Sequence, residues 1–95
     1  MTNKILGYIG LALRGKFVLL GEDNLKKVKK GHIIFLASDA SENLKEKVSY
    51  IASLKGVDVV SLFDKDTLGQ LLNKNQVAIL VVTNYSLATQ IKKCL

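Results

Sequence analysis

Hydrophobic residues recur along this chain at helical and strand spacings in turn. A first helix is predicted by an apolar face at helical spacing, which consists of Ile5, Leu6, Ile9, Ala12 and Leu13. Thr2 or Asn3 is the expected cap of this helix. A short strand over 17–20 is predicted to end at Gly21. The helix that follows has only a narrow apolar stripe and is predicted to end at Gly31.

The middle of the chain predicts a buried strand and a long helix. Residues 33–37 are apolar throughout, which is typical of a strand covered on both faces. Asp39 and Glu42 have the spacing of a capping box, so the helix is expected to begin at Asp39. Gly56 is expected to end this helix, and a strand over 57–63 follows.

The last third of the chain continues the alternation. A short helix capped by Asp64 or Asp66 precedes an apolar strand over 77–82, and a final helix begins at Asn84 or Ser86. The predicted order is therefore α-β-α-β-α-β-α-β-α. Strands covered on both faces and joined by helices predict an α/β fold: a three-layer α/β/α sandwich of about four strands, with helices on both faces.

Composition supports a single folded domain over residues 1–95. Hydrophobic residues make up 48% of the chain and charged residues 23%, and there is no proline. Arg14 and Lys16 interrupt the first apolar stretch, so we expect neither a signal peptide nor a membrane span, which needs roughly 20 apolar residues. The single cysteine, Cys94, excludes an internal disulfide framework and favours a cytoplasmic protein.

The formal net charge of +6 is concentrated in one part of the sequence. From Arg14 to His32 six basic residues accompany two acids, whereas from Asp39 to Asp66 six acids accompany four lysines. Such a distribution is typical of a face that binds a polyanion. The alternative at this stage is that the lysines are only the solvated face of a helix.

Residues 21–30 combine two kinds of nucleic-acid chemistry. Glu22, Asp23 and Asn24 follow a glycine turn at the start of a predicted helix, where acceptor side chains could bond base edges. Asn24 is a poor helix former with no evident local task, which favours a binding role. The lysines that could hold phosphates follow one turn later, at positions 26, 27, 29 and 30.

Strand–helix junctions are where ligands of α/β proteins gather, and three of them are polar here: 21–24, 38–43 and 83–86. A magnesium site made of Asp39, Glu22 and Asp23 is the alternative use of these junctions. It is disfavoured because Asp39 has a structural task as a helix cap. We therefore expect no metal.

Catalysis has no support in the residues available. His32 is the single histidine and has no evident acid or nucleophile partner, and no histidine–cysteine set has zinc spacing. No glycine-rich phosphate loop is present. The tyrosines and phenylalanines do not cluster with the basic residues along the sequence, which disfavours a stacking platform for single strands. The chain is thus not expected to be an enzyme or to need a cofactor.

Several short segments match a known family: 10–14, 15–18, 21–23, 36–43, 68–69 and 82–84. The most specific is Asp-Ala-Ser-Glu-Asn after an apolar strand, at 39–43. With these segments the chain resembles the small ribosomal and kink-turn-binding proteins of the L7Ae/L30e type, in particular their short bacterial, YlxQ-like branch. The resemblance covers nearly the whole chain, and the family's α/β/α sandwich agrees with the predicted elements.

The family's RNA-recognising turn has the pattern G-x-N-E-x-x-K, which here falls on Gly21, Asp23, Asn24 and Lys27. The resemblance implies that Asp23 and Asn24 approach the tandem sheared G·A pairs of a kink-turn, while Lys27 or Lys26 contacts phosphate or base. Asn-Glu of the pattern is Asp-Asn in this chain, which moves the amide donor by one position.

The resemblance also implies a second contact loop over 72–76, which is polar in this chain. Lys65 and Ser41 match lesser contact positions. The full set of expected RNA-binding residues is Gly21, Glu22, Asp23, Asn24, Lys26, Lys27, Lys30, Ser41, Lys65, Asn73, Lys74 and Asn75.

We therefore expect a non-catalytic, cytoplasmic RNA-binding domain of ribosomal-protein type, monomeric when free. Its partner would be a kink-turn or similar structured internal loop, in ribosomal or another structured RNA, with the ribosome as a candidate host. The alternative is a protein-interaction module of the same fold that binds RNA weakly and without selectivity.

Overall fold

The computed structural model describes residues 2–95, and it has the predicted order of elements with one difference in kind: the second helix is a 3₁₀ helix. The elements are α1 (Thr2–Arg14), β1 (Val18–Leu20), the 3₁₀ helix (Glu22–Lys27), β2 (Ile33–Leu36), α2 (Glu42–Lys55), β3 (Asp58–Val60), α3 (Lys65–Leu71), β4 (Ile79–Val82) and α4 (Tyr85–Lys93).

The four strands form one mixed sheet in the order β1-β4-β2-β3. β4 runs antiparallel to both neighbours, while β2 and β3 are parallel. Leu20 and Phe35 therefore lie opposite Leu80, and Val18 and Ile33 lie opposite Val82. We call the first end of the sheet, where β1 and β2 finish and β4 starts, the Gly21 end. The other, where β1 and β2 start and β4 finishes, is the Gly31 end.

The core lies on both faces of the central strands. All four residues of β2 and all four of β4 are buried, as their continuous apolar runs predict. No polar or charged residue of residues 3–95 is buried. The α/β sandwich predicted from the sequence is confirmed, and helices α1 and α4 pack against each other.

The predicted capping box at Asp39 is wrong. Helix α2 starts two residues later, with Ser41 as the N-cap, because the Ser41 Oγ accepts a hydrogen bond from the Leu44 N–H at 3.2 Å. Asp39 instead accepts the backbone N–H of Lys65 through Oδ1 at 2.9 Å. This carboxylate therefore holds the first turn of α3 against the β2–α2 loop.

Other predicted caps are confirmed. Asp64 caps α3 by accepting from the Thr67 N–H at 2.8 Å, and the backbone and side-chain hydrogen bonds of Thr67 lower the pKa of the Asp64 carboxyl. Asn84 caps α4 by accepting from the Leu87 N–H. Gly56 ends α2 in the left-handed conformation, with φ 67°.

Two strands are shorter than predicted, and helix α1 begins earlier than its predicted cap allows. Strand β3 covers Asp58–Val60 rather than 57–63, since it pairs with β2 alone at one side of the sheet. Strand β4 begins at Ile79 because its partner residue Leu36 is the last of β2. Helix α1 begins at Thr2, so Asn3 lies inside the helix and the cap position falls outside the described residues.

The helix predicted to end at Gly31 finishes at Lys27 instead. Its buried residue Leu25 and the buried residue that follows the helix, Val28, are three positions apart, which is the repeat of a 3₁₀ helix. Lys29 and Lys30 consequently lie beyond the helix, in the turn that leads to β2.

Candidate nucleic-acid interface

A groove of about 390 Å³ lies at the Gly21 end of the sheet. On one side stands the turn after β1, and on the other the loop that precedes β4. The groove is lined by Leu20, Gly21, Glu22, Leu44, Lys74, Gln76, Val77, Ala78 and Ile79. The two segments that the sequence indicated, more than 50 residues apart, thus face each other across one concave surface.

The turn after β1 depends on a glycine conformation. Gly21 has φ 83° and ψ 161°, a region open essentially to glycine alone. Asn24 closes this turn, because its side-chain Nδ2 donates to the carbonyl of Leu20 at 2.7 Å. The expectation that Asn24 has no local structural task is therefore wrong. Asp23 is exposed and its carboxylate makes no hydrogen bond or ion pair with any residue of 3–95.

Two lysines of helix α2 bind the 3₁₀ helix and hold it in place. The Lys55 Nζ donates to the carbonyl oxygens of Lys26 at 2.7 Å and Val28 at 2.9 Å, which the short helix leaves unpaired. The Lys47 Nζ lies 2.6 Å from the Glu22 Oε2. Sequence reasoning missed both lysines. Their spacing of eight residues, which places them on one face of α2, is the only local signal of this role.

A second groove, of about 620 Å³, lies between the 3₁₀ helix and α2. Its lining residues are Glu22, Asp23, Leu25, Lys26, Lys47, Ile51 and Lys55. The segment 22–26 is therefore a ridge between two grooves, and Glu22 contributes to the walls of both. On this ridge, Asp23 and Lys26 face the second groove.

The loop before β4 is held close to α3. The Lys74 N–H donates to the Gly69 carbonyl at 2.8 Å, and a Cβ added at Gly69 would lie 2.7 Å from the Asn75 carbonyl oxygen. The Gln76 Nε2 donates to the Asp66 Oδ1 at 3.1 Å. The exposed side chains of this loop, including Lys74, therefore stand on a backbone anchored at both sides.

Most of the predicted site residues share the Gly21 end. Ser41 starts α2 there, and Lys65 lies there because its carbonyl accepts from the N–H of Val77, a groove residue. Lys30 does not: it precedes β2, at the Gly31 end. Residues 83–86 also lie at the Gly31 end, because β4 runs antiparallel to its neighbours. The three polar junctions therefore do not lie at one end of the sheet.

The positive charge of three lysines at this interface is not neutralised by acidic side chains of the described residues. The ion pairs among residues 3–95 are Lys45–Glu42, Lys47–Glu22 and Lys92–Asp58, so Lys26, Lys27 and Lys74 have no acidic partner there. Unpaired, exposed ammonium groups beside a groove attract anions such as phosphates.

The described residues hold no group of three or more metal-ligating side chains. His32 accepts the backbone N–H of Lys29 on its Nδ1, at 3.1 Å. Burial, together with the charges of Lys29 and Lys55, lowers the pKa of His32. Within residues 2–95, no helix is both long and apolar enough to cross a bilayer.

Known proteins share both the sequence pattern and the fold. The family model of the Ribosomal protein L7Ae/L30e/S12e/Gadd45 family matches residues 4–92. An RNA-binding protein YlxQ of Enterococcus faecium is 33% identical over 85 residues, which cover 86% of this chain and 82% of that protein. A solved structure of a protein with unknown function from Bacillus halodurans superposes with a TM-score of 0.84 at 21% identity, covering 95% of this chain and 94% of the other. Since the family pattern spans nearly the entire chain, this protein belongs to the Ribosomal protein L7Ae/L30e/S12e/Gadd45 family.

Proposed function

We propose that this protein is a non-catalytic RNA-binding protein that recognises a kink-turn or a similar structured internal loop. The observation that carries the proposal is the groove at the Gly21 end, where Gly21 and Glu22 of the turn after β1 face Lys74 and Gln76 of the loop before β4, with Asp23 beside it in the second groove. A bent RNA presents two backbone segments at an angle, and two separate contact segments beside one groove suit that shape.

Asp23 is the residue we assign to base recognition. Its carboxylate is exposed and unpaired among the described residues, and it can accept hydrogen bonds from the amino and imino groups of guanine. Asn24 has a different task in this proposal, since its amide already donates to Leu20. It keeps the turn in shape and leaves its own oxygen as the further acceptor.

Lysines supply the affinity that does not depend on sequence. Lys26 and Lys27 stand next to Asp23, and Lys74 stands across the groove, all exposed. Phosphates that approach this surface would meet ammonium groups with no internal partner. Ser41, Lys65, Asn73 and Asn75 surround the groove at the same end and complete the proposed contact surface.

The relatives support RNA as the ligand. The family model is that of ribosomal proteins, and the Enterococcus faecium relative is named an RNA-binding protein. We infer from this that the protein acts in the cytoplasm as a monomer on ribosomal or other structured RNA, and that the ribosome is the first host to test.

The deciding experiment compares two RNAs. One contains a kink-turn, and in the other the tandem sheared G·A pairs are replaced by Watson–Crick pairs. We expect tighter binding of the first, and we expect Asp23→Ala to remove that preference. Lys27→Ala should instead weaken binding of both RNAs and reduce the dependence of affinity on salt.

Two outcomes would contradict the proposal. Equal, weak binding of both RNAs would leave only charge attraction and would favour the alternative, a protein-interaction module of the same fold. A preference that survives Asp23→Ala would mean that selectivity resides elsewhere on the surface, which would remove Asp23 from the site.

A further inference from the structure

The Gly31 end of the sheet gathers aromatic and basic residues that are far apart in the sequence. Lys16 and Phe17 precede β1, the turn over 29–32 precedes β2, and Tyr85 follows β4. The register joins them, since Val18 and Ile33 both lie opposite Val82. The Thr83 N–H also donates to the Phe17 carbonyl at 2.8 Å.

Tyr85 is exposed and yet held in place. It is 71% exposed, the largest exposed fraction among the large hydrophobic residues of the described chain. Its ring lies against the backbone of Gly31, where an added Cβ would come within 2.7 Å of the tyrosine Cδ2. Phe17, which is 42% exposed, packs its ring against Gly15 in the same way. Two aromatic rings thus rest on glycines and present their remaining surface to solvent.

The charge at this end is positive and unpaired. Lys16, Lys29 and Lys30 are exposed and none has an acidic partner among residues 3–95. The acid that the strands bring here, Asp58 at the start of β3, is paired with Lys92 at 3.2 Å. A ligand would therefore meet lysines beside exposed rings and no competing free carboxylate on the strand ends.

We propose that the Gly31 end is a second nucleic-acid-binding surface, which takes a single-stranded RNA segment. A base stacks on Tyr85, and the flanking phosphates contact Lys16, Lys29 and Lys30. Every base has a π face, so this surface binds with little sequence preference. The sequence had disfavoured such a platform because the tyrosines and phenylalanines do not cluster with the basic residues. Tyr85 is more than 50 residues from Lys16, Lys29 and Lys30 along the chain, and the sheet brings it to the same end.

Single-stranded RNA suits these features better than a duplex or an acidic peptide does. Bases in a duplex are stacked on each other and cannot lie on a protruding ring, whereas unpaired bases can. An acidic peptide would use the lysines but gain little from Tyr85. This surface shares no residue with the groove at the Gly21 end, so the two proposals can fail separately.

The test uses a fluorescein-labelled octauridine, which forms no stable secondary structure, and measures affinity by fluorescence anisotropy. Tyr85→Ala is expected to weaken binding about tenfold, and Tyr85→Phe to retain it, since stacking needs the ring and not the hydroxyl. Tyr50→Ala is the matched control, because Tyr50 is 69% exposed but lies on α2. Lys30→Gln should weaken binding more than Lys4→Gln, which removes the same charge from α1.

Amide chemical-shift mapping with the unlabelled oligonucleotide locates the site directly. We expect the largest shifts over 15–17, 29–32 and 83–86. Shifts confined to the Gly21 end would overturn the proposal, and so would a loss for Tyr50→Ala as large as that for Tyr85→Ala. If a polyglutamate peptide binds as tightly as the oligonucleotide and Tyr85→Ala has no effect on either, the surface attracts anions of any kind and the single-strand assignment is wrong.

Discussion

The Nζ atom of Lys55 lies 2.7 Å from the carbonyl oxygen of Lys26, joining two residues that are 29 positions apart. A second bond of 2.9 Å reaches the carbonyl of Val28. These carbonyls end the 3₁₀ helix and would otherwise need water. The ammonium group therefore ties the segment that carries Asp23 to α2, the longest helix of the chain. A segment fixed in this way would lose little further entropy on binding a ligand.

Replacing Lys55 should loosen this segment. Lys55→Met keeps the aliphatic stem but removes the donor, and hydrogen bonds from a charged group to partly buried carbonyls are worth about 1 to 2 kcal/mol. We expect that loss in the free energy of unfolding measured by urea denaturation. Faster amide exchange over 24–28 should accompany it. Lys45→Met is the control, since Lys45 makes only a surface pair of 3.7 Å with Glu42. Equal losses of unfolding free energy in the two variants would contradict the stabilising role of the Lys55 hydrogen bonds.

Substituting Gly21 with any other residue should destabilise the protein through its backbone conformation and not through packing. A Cβ at Gly21 would meet nothing within 4 Å, but its φ of 83° with ψ of 161° is strained for other residues. Gly21→Ala should therefore lower the free energy of unfolding by about 1 to 3 kcal/mol. Gly7→Ala, equally uncrowded but within α1, should raise it by about 0.5 to 1 kcal/mol. The same sign for both variants would refute the conformational argument.

Gly69 should be sensitive because of packing. A Cβ there would stand 2.7 and 2.8 Å from the carbonyl oxygens of Asn75 and Lys74, which are backbone atoms that cannot rotate away. Gly69→Ala should cost about 1 to 3 kcal/mol of stability and displace the loop that forms one wall of the groove. Kink-turn affinity should fall with it. Gly10→Ala, which has no neighbour within 4 Å, serves as the control in both measurements.

The sequence predicted most of the fold because the signals for it are local. Strands β2 and β4 are continuous apolar runs, and Asn84 and Gly56 are strong helix boundaries by their own chemistry. The start of α2 was misplaced because Asp39 and Ser41 are both good caps. The choice between them depends on Lys65, whose N–H engages Asp39 from 26 residues away.

The candidate site was predicted only in part because strand direction is not a local property. The glycine and the polar residues after β1 indicated the turn over 21–24. Nothing in the chain's local pattern indicates that β4 runs antiparallel, yet this direction sends residues 83–86 to the other end of the sheet. Lys30 lies at that end because it precedes β2. The role of Lys55 was not predicted for the same reason, since the carbonyl oxygens that accept its hydrogen bonds lie on another element.

His32 should make stability depend on pH below about 6.5, the ordinary pKa of a histidine. Burial and the charges of Lys29 and Lys55 hold the pKa of His32 below 6.5 in the folded protein. The unfolded chain therefore binds a proton first as pH falls. The stabilising effect is complete above pH 6.5 and is lost as pH falls towards the folded pKa.

The measurement is direct because the chain has one histidine, whose ring protons give a single NMR titration curve. We expect a midpoint below that of the denatured protein, and a midpoint closer to 6.5 in Lys55→Met, which removes one of the charges responsible. In His32→Gln the free energy of unfolding should vary less between pH 6.5 and 5. A folded midpoint at or above the denatured value would contradict the lowering of the His32 pKa by burial and by the charges of Lys29 and Lys55.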